Sequence, residues 1–140
     1  KRQVPEELKE KIQSIFWAGC CGDEATEETI REVWERNSYL CDTHTAVAWN
    51  VAQQYKAANP AHAPVVVLST ASPYKFPAAV LGALGEKAGS DEFAMMEQLH
   101  ALTGTDIPAN LRGLEGRPVR HRDVIDTGDM LNYVLSDVLK

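Results

Sequence analysis

Two short stretches of this sequence hold side chains that could do chemistry. The first is Ser-Thr-Ala-Ser-Pro-Tyr-Lys-Phe-Pro (69–77), directly after the apolar run Pro-Val-Val-Val-Leu (64–68). Hydroxyls at the carboxyl end of a buried strand face the crevice where ligands collect in an open parallel sheet. There Ser69 and Thr70 can donate to, or accept from, a heterocyclic nitrogen or a phosphate. The bland alternative is that they satisfy strand-end backbone groups while Ser72 caps the following helix. Lys75 would become a base or nucleophile only if desolvation lowered its pKa. Set between Tyr74 and Phe76, with nothing nearby to force burial, it reads as a solvated or snorkelling bystander.

The second stretch is Cys-Asp-Thr-His-Thr-Ala (41–46). Asp42 has the character of a helix N-cap, with Thr43, His44 and Thr45 in the first turn. Three hydrogen-bonding side chains around a positive helix end suit an anion; the same residues also make a well-capped helix with an exposed His44. Cys41, His44 and the adjacent pair Cys20-Cys21 could form a zinc donor set, a third reading. Adjacent cysteines rarely ligate one ion, so no metal site is assigned. Neither a glycine-rich nucleotide fingerprint, a Walker lysine nor a nucleophile elbow is present.

The elements that must carry these residues read mostly as helices. Pro5, Glu6 and Glu7 suit a first turn, and Leu8, Ile12, Ile15 and Phe16 continue at helical spacing until Gly19. Further helices are predicted over 26–37 with Ile30, Val33 and Trp34 inward, and after Asp42 with a Val47, Val51, Tyr55 stripe, ending at Asn59-Pro60. Another runs from Pro73 to Leu84, one follows Ser90 through Phe93, Met96 and Leu99 to Gly104, and the last opens at Thr127. The 105–116 segment is a loop with a helical turn after Pro108. Val65–Leu68 reads as a strand buried on both faces, and Val119–Ile125 as a second. The expected fold class is therefore α/β, with about two strands and about six helices in a single domain over 1–140. Two strands need neighbours to make a sheet, and the chain opens on Lys1 rather than methionine. Both suggest a piece of a longer protein.

Composition narrows the partners. A formal charge of −6 and scattered basic residues argue against nucleic acid and anionic membrane. No apolar run approaches the roughly 18 residues of a bilayer span. Three cysteines make no disulfide framework, which favours a cytoplasmic home.

Taken in order, Asp23–Ala48 (DEATEETIREVWERNSYLCDTHTAVA) and Val65–Phe76 (VVVLSTASPYKF), followed by Ile107-Pro108, resemble the C-terminal third of threonine synthase. That family consists of pyridoxal-phosphate lyases that convert O-phosphohomoserine to threonine and phosphate in threonine biosynthesis. The resemblance implies a helix-rich C-terminal part of a fold-type II enzyme, with a small-molecule substrate. It also implies that Thr70, with Ser69 beside it, binds the cofactor's pyridine nitrogen, and that His44 and Thr45 belong to a substrate or active-site wall. The family's Schiff-base lysine lies upstream of the matched part, and none of the chain's seven lysines has its sequence context. The isolated chain is therefore expected to be inactive. Two positions depart from the family pattern: Thr43 replaces a usual proline and Ser72 a frequent histidine. The alternative is a non-catalytic interaction or assembly module, prone to self-association through unpaired strands.

Overall fold

The computed structural model describes residues 4–138, and its regular elements are all helical. Among the described residues seven α-helices follow one another: α1 (Glu6–Gln13), α2 (Asp23–Asn37), α3 (Thr43–Ala58), α4 (Pro77–Ala83), α5 (Glu92–Thr103), α6 (Ala109–Arg112) and α7 (Met130–Val138). Single 3-10 turns at Pro73–Lys75 and Thr127–Asp129 precede α4 and α7.

The α/β expectation is corrected on this point. Among the described residues there is no strand and no sheet. The 65–68 and 119–125 segments have β-type composition, but a ladder needs a second backbone with free N–H and C=O groups facing the first. Neither segment finds one. Val66 is 82% exposed and Val124 95%, the reverse of the two-sided burial that an apolar strand implies.

The core sits between α2, α3, α4 and α5. Ile30 and Val33 on α2, Ala46 on α3, Val80 and Leu81 on α4, and Met95, Met96 and Leu99 on α5 are all buried, with Leu40, Tyr74 and Ile107 closing the gaps from the connections. α2 packs against both α3 and α4, and α4 against α5. The stripe expected on α3 is only half-buried; its fully covered face carries Thr45 and Ala46 instead. Trp34 and Trp49 pack on the core from its margin.

Four local features depart from the predicted boundaries. α1 ends at Gln13, short of Ile15 and Phe16. α2 begins a turn earlier, at Asp23, and Thr26 turns its hydroxyl back to the Gly22 carbonyl at 2.8 Å. Asp91, rather than Ser90, caps α5 by accepting from the Phe93 and Ala94 N–H groups. The single helix expected from Pro73 to Leu84 is broken at Phe76, whose φ of −136° and ψ of 51° lie outside the helical region. Proline at 77 disfavours helical geometry in the residue before it and has no N–H of its own. The far end of α4 behaves as its glycine suggests. Gly85 takes φ of +84°, and the Glu86 N–H closes back onto the Leu81 carbonyl at 2.9 Å.

Among the described residues α1 and α7 bury no side chain. Leu8, Ile12, Ile15 and Phe16 near α1, and Leu131, Val134 and Leu135 on α7, are exposed; the side chain of Val138 lies outside the described residues. Among the described residues no helix is long and apolar enough to cross a membrane.

Candidate functional site

The start of α3 organises the candidate site. Asp42 is completely buried, and its carboxylate accepts from the His44 N–H at 2.8 Å, the Thr45 N–H at 3.4 Å, the Thr45 hydroxyl and the His44 ring at Nδ1, 3.2 Å away. Burial alone would push this carboxyl up. The hydrogen bonds from the Thr45 hydroxyl, the two backbone N–H groups and the His44 ring outweigh it and hold the pKa below 3.8. Asp42 is thus an ionised acceptor, the form that a helix N-terminus also favours.

Beyond Asp42 the hydrogen bonds run outward through hydroxyls. Thr45 Oγ1 lies 3.4 Å from Ser69 Oγ, and the Tyr39 hydroxyl donates to Ser69 Oγ at 2.9 Å. A hydroxyl has one proton. Thr45 directs that proton at Asp42 and, more distantly, at Ser69 Oγ, so hydroxyl contacts join Tyr39, Ser69 and Thr45 to the carboxylate.

Ser69 and Thr70 are exposed and open onto a groove of about 370 Å³ shared with Ser72, Lys75 and Asn110. Lys75 is exposed, as expected, but it shares this groove with Thr70 rather than standing apart. Asn110 was not singled out from sequence; its place on a helical turn after Pro108 is the only hint that could have found it. Ser72 caps the turn at Pro73–Lys75 by accepting from the Tyr74 N–H at 3.3 Å.

His44 faces elsewhere. Its ring packs against Phe76, centroids 5.1 Å apart, and lines a separate cavity of about 560 Å³ with Cys21, Asp23, Thr26, Glu27 and Val47. The four residues expected at the site therefore split: Thr45 meets Ser69 directly, whereas His44 joins them only through Asp42. The cysteines differ in exposure. Cys20 is exposed and Cys21 half-buried beside Thr26, while Cys41 is buried. Burial, with the Asp42 charge adding to it against a backbone hydrogen bond, raises the Cys41 pKa from 9.0 to about 11. It stays a thiol at neutral pH, whereas a metal takes the thiolate.

A family model described as "Threonine synthase, C-terminal" matches residues 45–133. The chain belongs to this family. Among relatives, the "Threonine synthase-like 2" proteins of Pongo abelii and Homo sapiens are each 36% identical over 80 residues, covering 57% of this chain and 16% of theirs. The threonine synthase of Pseudomonas aeruginosa is 36% identical over 89 residues, 64% of this chain and 18% of its own length. The chain thus spans less than a fifth of the relatives it matches. Within the family match lie Thr45 and the groove residues Ser69, Thr70, Lys75 and Asn110; Asp42 and His44 fall just before its start.

Proposed function

We propose that this chain forms the pyridine-nitrogen side of the pyridoxal-phosphate pocket in a threonine synthase, the lyase acting on O-phosphohomoserine in cytoplasmic threonine biosynthesis. The observation that carries this reading is the Thr70 groove. An exposed neutral hydroxyl opens onto a cleft lined by further hydroxyls, an amide and a cation, inside the stretch that matches the family. Such a donor set suits a heterocyclic nitrogen, because one hydroxyl donates one hydrogen bond and brings no charge. When bound, the cofactor supplies an electron sink for charge developing on the substrate's carbons.

The chain's own groups have distinct tasks in this reading. Thr70 donates to the ring nitrogen and, unlike a carboxylate, does not force a proton onto it. Ser69 accepts from Tyr39 and Thr45 behind it, which holds its hydroxyl beside that of Thr70 at the groove. Thr45 fixes Ser69 from behind, His44 belongs to the neighbouring wall, and Lys75 adds positive charge at the rim without entering the chemistry. The substrate is a small molecule, and neither nucleic acid nor membrane is a partner. The apolar faces left open on α1, 65–68 and α7 favour association, with the remaining enzyme or with another copy. This last observation also fits a non-catalytic assembly module.

Two assays test the proposal. The 140-residue chain, supplied with pyridoxal phosphate and O-phosphohomoserine, is expected to release no phosphate above the blank. Borohydride treatment of the chain with pyridoxal phosphate, followed by peptide mapping, is expected to label no lysine specifically. Turnover, or a single stably labelled Lys75, would overturn this division of roles between Thr70 and Lys75.

A further inference from the structure

The imidazole of His44 is held by three constraints, and together they decide which of its nitrogens is bare. Nδ1 lies 3.2 Å from Asp42 Oδ1 and 3.4 Å from the Thr43 hydroxyl, and Phe76 packs on the ring at a tilt of 50°. An ionised carboxylate can only accept, so the bond to Asp42 requires the proton on Nδ1. Asp42 is buried, its other oxygen is fixed by Thr45, and its hydrogen bonds keep it ionised, so the acceptor cannot swing away or change its role. Nε2, on the opposite edge of the ring, then carries a lone pair. The His44 side chain remains 63% exposed and lines the 560 Å³ cavity, a volume within the range of small-molecule sites.

We infer that Asp42 is a positioning residue that fixes His44 as its Nδ1–H tautomer, which makes Nε2 a proton acceptor for a ligand N–H or O–H group in this cavity. The inference concerns the separate cavity that His44 lines, not the Thr70 groove, and it stands on a carboxylate, a ring and that cavity. By the same argument two other histidines hold a proton on Nδ1, but against neutral acceptors: His62 donates to the Ala63 carbonyl at 2.7 Å and His100 to the Thr105 carbonyl at 2.6 Å. His44 alone among the described residues pairs its ring with a carboxylate. A free imidazole side chain favours the proton on Nε2, so the His44 tautomer is the inverted one.

Long-range proton–nitrogen correlation spectra of the 15N-labelled chain at neutral pH read the tautomer directly and need no cofactor. The expected result is a His44 whose Nδ1 is protonated and Nε2 bare in the majority form. Asp42→Ser retains a competent helix cap but withdraws the acceptor from the ring, and is expected to return the majority to Nε2–H. A wild-type His44 with the proton on Nε2 overturns the inference, as does a folded Asp42→Ser chain whose tautomer is unchanged. Should that variant not fold, the wild-type spectrum alone decides. Since neither spectrum involves pyridoxal phosphate, failure of the tautomer assignment is distinct from failure of the cofactor reading.

Discussion

Asp42 accepts four hydrogen bonds from residues no more than three positions away and is sealed from solvent. Replacing it by alanine leaves two backbone N–H groups and the Thr45 hydroxyl without their acceptor, a loss of about 1–3 kcal/mol. Its pKa in the folded chain lies below 3.8. The stabilisation is therefore present above pH 3.8 and is lost as pH falls through the folded value. Urea unfolding of wild type and Asp42→Ala is expected to show this gap at neutral pH and its closure in acid; a gap that persists undiminished below the folded pKa would contradict the assignment. The N-cap role of Asp42 was legible, because the residue stands directly before a helical pattern. The Thr45–Ser69 contact was not. It joins positions 24 apart in sequence, and local spacing says nothing about such a pairing.

Tyr74 ties the turn before α4 to the loop after α5. Its ring is buried, and its hydroxyl donates to the Thr105 carbonyl at 2.6 Å, with Thr105 Oγ1 at 2.8 Å and the His100 ring on the same carbonyl. Tyr74→Phe keeps the packing and loses the bond, so unfolding is expected to become easier by about 1 kcal/mol; thermal or urea melts measure it, and no change would mean that water replaces the hydroxyl. The break in the predicted helix is legible at this scale. Pro77 stood in the quoted motif, and a proline biases its predecessor away from helix. The two predicted strands had no such internal warning. Val65–Leu68 has the composition of a buried strand, but composition describes a segment's demand for partners, not whether the chain holds them.

Taken whole, the chain has a four-helix centre with lightly attached ends. Local stability follows buried apolar contact, so amides of α2, α3, α4 and α5 are expected to exchange slowest with deuterated solvent, and those of α1 and α7 fastest. Slow exchange in α7 would show that its apolar face is covered in solution, by another copy of the chain. Helical periodicity found α1 and α7, though it ran past the end of α1 at Gln13 and began α7 at Thr127 instead of Met130, since it reports which side of a helix is apolar. It could not show that those sides stay open, because that depends on what else is folded beside them.

One tie holds the segment after α1 to the centre. Trp17 meets Tyr55 edge-on, centroids 5.6 Å apart, and close by the Gln54 amide donates to the Cys20 carbonyl at 2.9 Å. The other two indoles, Trp34 and Trp49, pack against the core instead. The molecule thus carries its own optical labels in two places. With the other two indoles replaced, emission from Trp17 is expected to follow detachment of the segment after α1, and emission from Trp34 or Trp49 the melting of the centre, so loosening of the arm and collapse of the body are separable.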